Sequence, residues 1–143
     1  MEISLLTEVT DEVVQAFAKL LPQLSSSAVV PTRDQLQEIA DNESFLIARD
    51  PDLGGQIVGS LTLVTFRIPT GVRAWIEDVI VDTSMRGKGV GEALTRAALE
   101  RAAELGAKTV DLTSRPSREA ANRLYQRVGF ELRQTNLYRY NLE

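Results

Sequence analysis

The chain has neither cysteine nor histidine among its 143 residues. Without cysteine it can form no disulfide, no thiolate metal site and no cysteinyl acyl intermediate. Without histidine no Ser-His-Asp triad can be assembled. Any general base must then be a carboxylate, a lysine, a tyrosine or water. A metal site would have to be built from carboxylates alone; no clustered acidic spacing suggests one, so no metal is expected. Long apolar runs are missing too. None approaches the roughly 18 residues of a membrane span, so no membrane partner is expected. The start, Met1-Glu2 followed by Glu8, Asp11 and Glu12, lacks the basic and apolar regions of a secretion signal, and a cytoplasmic location is expected. No long basic run occurs and the net charge is −4, which argues against nucleic acid as a partner.

What remains is ordinary for a soluble globular chain, with 25% charged and 43% hydrophobic residues. Its length suits one domain over residues 1–143. The informative stretch is Val79-Ile80-Val81-Asp82-Thr83-Ser84-Met85-Arg86-Gly87-Lys88-Gly89-Val90-Gly91-Glu92. Val79, Ile80 and Val81 are β-branched and suit a buried strand. From Val90 the pattern turns helical, with Val90, Leu94, Ala98 and Ala102 on one face. Between them lie Gly87, Gly89 and Gly91 with the cations Arg86 and Lys88. The first N–H groups of a helix have no internal partner and carry a partial positive charge. Glycines let a ligand approach them closely. Such a join is a seat for a phosphate. A plain strand-to-helix turn is the structural alternative.

Two familiar phosphate motifs fail. No Gly-x-x-x-x-Gly-Lys-Ser/Thr string is present. The dinucleotide fingerprint Gly-x-Gly-x-x-Gly meets Glu92 from Gly87 and Leu94 from Gly89. The string does fit Arg/Gln-x-x-Gly-x-Gly/Ala, as Arg86-x-x-Gly89-x-Gly91, preceded by Glu77-Asp78-Val79-Ile80-Val81. It resembles the acyl-CoA pyrophosphate motif of the GNAT superfamily of N-acetyltransferases. A second string, Ala121-Asn122-Arg123-Leu124-Tyr125-Gln126-Arg127-Val128-Gly129-Phe130, is similar to that family's Ala-x-x-Leu-Tyr-x-x-x-Gly-Phe signature. The departure is Arg118, where many relatives carry an asparagine that contacts the cofactor; Asn122 or Arg118 would have to replace it.

The order of elements is read as a strand at Ile3–Leu6, then a helix capped by Thr10 that Pro22 bends or ends. Thr32 and Gln35 form a capping box. Strands Ser44–Arg49, Gln56–Ile68 and Val72–Asp82 form an antiparallel meander. A helix from Gly89 to Leu105 is closed by Gly106. A strand at Thr109–Thr113 follows, then a helix with Pro116 in its first turn and Gly129 at its end. Phe130–Arg133 and Leu137–Leu142 read as a final hairpin. The fold class is α/β. The resemblance implies a mixed, mostly antiparallel sheet of about six to seven strands, with helices on both faces.

The resemblance also implies a function: direct acetyl transfer from acetyl-CoA to a primary amine, of a small molecule or a peptide, in a ternary complex. Val79, Ile80 and Val81 would meet the pantetheine, and Arg86, Gly87, Lys88, Gly89, Val90, Gly91 and Glu92 the pyrophosphate. Tyr125 would sit near the thioester sulfur; its structural alternative is an anchor for its helix. Strand alternation puts Trp75, Glu77, Val79 and Val81 on one face and Ile76, Asp78 and Ile80 on the other. A bulge would break that parity, and relatives commonly have one here. The general base is therefore Glu77, Asp78 or water, with Glu77 preferred because relatives often carry a carboxylate there. Homodimerisation is a family expectation. The rival reading is a non-catalytic acyl-CoA-binding module of the same fold.

Overall fold

Thr10 opens the first helix by accepting a hydrogen bond from the Val13 N–H, with Asp11 and Glu12 in the first turn. That pairing satisfies an orphan donor and places negative charge at the positive end of the helix. The computed structural model describes all of residues 1–143, which divide into units 1–112 and 113–143.

In the first unit β1 (Glu2–Leu5) is followed by α1 (Asp11–Leu24) and α2 (Arg33–Asn42). Then come β2 (Ser44–Asp50), β3 (Gln56–Ile68), β4 (Gly71–Val81), α3 (Val90–Glu104) and β5 (Thr109–Asp111). Pro22 does not end α1, because it lies in the last turn, and the helix runs on to Leu24. Thr32 and Gln35 exchange the two bonds of a capping box at α2. Gly106 follows α3 at a φ of 79°, as a glycine past a helix end should. No helix is long and apolar enough to cross a membrane.

The sheet has five strands in the order β1-β2-β3-β4-β5. The first four are antiparallel and β5 runs parallel to β4. Register assigns the faces. Ile47, Ser60 and Ile80 are opposite one another on neighbouring strands. Ile47 and Ile80 join Val13, Phe17, Leu20, Leu36 and Phe45 in one buried cluster, so α1 and α2 cover this face. Burying each such side chain is worth about 1.5–3 kcal/mol. Ala48, Gly59 and Val81 lie on the other face, where Gly59 meets Val90 and Leu94 of α3.

The alternation along β4 is broken by a bulge, as the resemblance implied. Ser60 pairs with Ile80 but Thr62 pairs with Glu77, so β4 carries one extra residue. Asp78 absorbs the irregularity at a φ of 48°, the one non-glycine residue with positive φ. Aspartate tolerates that region better than most residues. The bulge moves Glu77 onto the face of Thr62 and Phe45, the same face as Ile80 beyond it, whereas alternation had set them apart.

In the second unit α4 (Glu119–Val128) starts later than expected, and Pro116 stays in the turn before it. Gly129 ends it at a φ of 122°. Residues 130–143 form no strand, so the expected hairpin is absent and the sheet has five strands, not six to seven. A strand is defined by its ladder partners, and an isolated hairpin of this size is marginal in water.

Gly59 is where β3 comes closest to α3. A Cβ there would lie 3.0 Å from the Ile80 carbonyl oxygen, 3.0 Å from Val90 Cγ1 and 3.2 Å from Leu94 Cδ1. Gly59→Val should cost about 1–3 kcal/mol of stability through overpacking. Urea unfolding measures this; a midpoint equal to wild type would show that α3 moves aside freely.

Candidate functional site

Between β4 and α3 the backbone reverses through one 3-10 turn, Thr83–Met85, and a short glycine-rich loop. Asp82 builds that turn. Its carboxylate accepts from the Ser84 N–H at 3.1 Å and the Ser84 hydroxyl at 3.0 Å, and pairs with Lys19 Nζ at 3.2 Å. Its own N–H donates to the Val58 carbonyl at 2.8 Å. Asp82 is 3% exposed. Burial alone would raise its pKa, but the Ser84 N–H, Lys19 and the Ser84 hydroxyl outweigh it and hold the carboxyl below its ordinary value. Gln23 of α1 accepts from the Thr83 N–H at 2.8 Å.

The loop then exposes Arg86, Gly87, Lys88 and Gly89. Gly89 is the N-cap of α3, at φ 80° and ψ 12°, and no side chain caps the helix. A left-handed conformation costs other residues about 1–2 kcal/mol. A Cβ on Gly87 or Gly89 would meet nothing within 4 Å, so the space over the loop is open. The amides at the start of α3 thus converge on accessible space with a positive partial charge behind them. That donor set fits a phosphate or diphosphate. Val90 itself is buried, and Glu92 pairs with Arg96 at 3.2 Å, so only their backbone groups face this task.

β4 supplies the second part. Its pairing with β5 covers only Arg73, Ala74 and Trp75. Beyond Trp75, the edge that includes Val79, Ile80 and Val81 has no strand partner on that side. Amide-bearing ligands can pair with such an edge. The Ile80 side chain is 3% exposed and belongs to the core, leaving its backbone for this role. Glu77 and Asp78 are both exposed.

The second unit holds Asn122 and Tyr125. Asn122 Nδ2 donates to the Arg115 and Arg118 carbonyls, both at 2.9 Å, so its amide hydrogens tie the turn around Pro116 to α4. Arg118 is the N-cap residue, with no capping bond from its side chain. Tyr125 is half-buried. Its carbonyl accepts from the Gly129 N–H at 3.1 Å and the Phe130 N–H at 2.9 Å, and its ring meets Phe130 edge-on at 5.8 Å. Burial pushes its phenol pKa up, against an opposing pull from Arg118. The spacing Tyr125-x-x-x-Gly129-Phe130 is thus explained locally by a helix end folding back on its own tyrosine.

Lys19, Gln23 and Gly59 were not singled out by sequence reasoning, and Asp82 was read only as a strand end. Asp82 had a readable signal, since an aspartate two residues before a serine N–H commonly forms a local turn. The other three act across long sequence separations and leave no local pattern.

A model of the Acetyltransferase (GNAT) family matches residues 8–130. N-alpha-acetyltransferase 30 of Schizosaccharomyces pombe is 36% identical over 73 residues, 51% of this chain and 48% of that protein. Mycothiol acetyltransferase of Propionibacterium freudenreichii is 28% identical over 117 residues, 81% of this chain and 37% of that protein. The chain spans less than half the length of the curated relatives it matches. An aminoglycoside acetyltransferase from an uncultured soil metagenomic sample, solved with trehalose, superposes with a TM-score of 0.83 at 23% identity, covering 99% of this chain and 96% of that one. That last likeness is one of fold.

Asp82 makes the loop acid-sensitive. A carboxyl whose folded pKa is depressed adds stability that is complete above its unfolded pKa and is lost as pH falls through the folded one. Asp82→Asn should be less stable than wild type by about 1–3 kcal/mol at pH 7. The gap should narrow only as pH falls through the folded pKa of Asp82, below the ordinary carboxylate range, because the wild-type carboxylate is then protonated too. Unfolding curves across that range check it; a gap constant down to low pH would mean that charge is irrelevant.

Proposed function

The chain belongs to the GNAT acetyltransferase family, and from that premise we propose that it transfers an acetyl group from acetyl-CoA directly to a primary amine, with both substrates bound together. The observation that carries this reading is the join of β4 to α3. An uncapped helix start with Gly89 left-handed lies at the end of a strand edge that β5 leaves unpaired. Backbone amides from Arg86 to Glu92 hold the pyrophosphate, with Arg86 and Lys88 adding charge. The Val79–Val81 backbone pairs with the pantetheine amides. Residues 1–143 act as one catalytic domain. The acceptor is a small molecule or a peptide; relatives' names range from an N-alpha-acetyltransferase to an aminoglycoside acetyltransferase.

Acetyl-CoA brings the acetyl group already activated as a thioester. An alkylamine has a pKa of about 10 and must shed a proton before its nitrogen attacks. Glu77 is exposed, so it collects that proton through water. As the C–N bond forms, the C–S bond breaks; the departing thiolate takes the proton of Tyr125, and the second proton leaving the nitrogen passes through water to restore the phenol. Burial raises the Tyr125 pKa, so the phenol stays protonated at neutral pH and is a weaker acid than a free one. Donation from an unperturbed phenol to a thiolate is uphill by roughly 2 kcal/mol. The transfer therefore needs the same apolar surroundings to raise the thiolate's proton affinity. No cysteine is present to carry an acyl group, which favours direct attack.

Tyr125→Phe should lose about 10²–10⁴-fold in turnover while binding acetyl-CoA as wild type does. Calorimetry and a free-thiol assay over an amine panel separate the two effects. Full turnover in Tyr125→Phe would remove tyrosine from the mechanism. Binding of acetyl-CoA with no thiol release for any amine would make the chain an acyl-CoA-binding module instead.

A further inference from the structure

Lys19 and Gln23 are one helical turn apart, so they share a face of α1. Both reach the start of the phosphate loop. Gln23 Nε2 donates to the Lys19 carbonyl at 3.2 Å, which turns its Oε1 outward to accept from the Thr83 N–H at 2.8 Å. Lys19 Nζ meets Asp82 Oδ2 at 3.2 Å. Two consecutive loop residues are therefore held from one helix far away in sequence.

The turn itself is braced by the Asp82–Ser84 bonds, by the Met85 N–H donating to the Asp82 carbonyl at 2.8 Å and by the buried Met85 side chain. Towards the glycines the backbone bonds lengthen, to 3.4 Å from the Arg86 N–H to Thr83 and 3.3 Å from the Lys88 N–H to Met85. Bonds near 3.5 Å are weak. α1, by contrast, is anchored in the core by Val13, Phe17 and Leu20. We propose that Lys19 and Gln23 are positioning residues for acetyl-CoA: they lock the phosphate loop to α1 so that its amides are aimed before the ligand arrives. The proposal rests on the phosphate site described above. Neither residue touches the ligand. A preorganised donor set binds more tightly because less ordering remains to be done on binding.

The loop N–H and the Lys19 head are open to water, with the Lys19 side chain 58% exposed. Losing the lock should therefore weaken binding more than folding. Gln23→Leu and Lys19→Met should each raise the Kd for acetyl-CoA on the order of 3- to 10-fold, from the usual worth of one such hydrogen bond. Turnover at saturating acetyl-CoA should stay within about twofold of wild type, since only an interaction shared by ground and transition states is lost. Melting temperature should hardly move in Gln23→Leu and should fall modestly in Lys19→Met, where the buried Asp82 carboxylate keeps its Ser84 donors but loses its cation; Lys19→Arg should bind nearly as wild type does. Gly89→Leu serves as the control and should abolish acetyl-CoA binding. If Gly89→Leu fails to bind but the Lys19→Met/Gln23→Leu double variant binds as wild type, the lock is wrong and the phosphate site stands. If Gly89→Leu binds as wild type, the phosphate site itself is wrong. If the double variant loses affinity, turnover and melting temperature together, the contacts are merely structural and the proposal is overturned.

Discussion

Helix α3 begins with donors that nothing in its own sequence caps. A buried helix start of that kind would be costly, since unpaired N–H groups need partners. Here it faces open space, so the surrounding residues only have to hold it steady. Asp82 fixes the turn that feeds it, Gly89 supplies the left-handed step, and Val90 and Leu94 press against Gly59 behind it. Each acts on the same short segment from a different element. The start of α3 and its glycine-rich loop are therefore held by several elements of the first unit, although their own residues are consecutive.

The bulge at Asp78 is the second constraint. It changes which face Glu77 shares and lets β4 keep an apolar lining beyond it, with Ile80 in the core. It lies just past Trp75, the last residue of β4 that β5 pairs. An irregular strand and an incomplete ladder coincide, so backbone donors and acceptors remain available beside an exposed carboxylate. Glu77 in that setting lies open to solvent.

Much of this was legible beforehand. The Thr10 cap of α1, the Thr32–Gln35 box, the meander and the Gly106 stop follow local rules of capping and turn chemistry, and they appear as read. The glycine-rich join was legible because its residues are contiguous. The face of Glu77 could not be read from alternation, because a one-residue bulge reverses parity without any marker in composition; only the resemblance pointed to a bulge there. The hairpin expected after Phe130 looked sound by alternation, yet alternation specifies only a face, and residues 130–143 have no ladder to define them. Lys19 and Gln23 were invisible for another reason: a surface lysine and glutamine on a helix look like solvated residues until the loop they touch is placed.

One consequence of the bulge concerns self-association. A straight strand edge with unsatisfied backbone groups is a template on which another chain can stack. β4 leaves such an edge beyond Trp75, yet Asp78 twists it at a positive φ and places a carboxylate on it. A bulge and an exposed carboxylate both interrupt the regular ladder that a second polypeptide would need to extend, so the same irregularity works against edge-to-edge stacking.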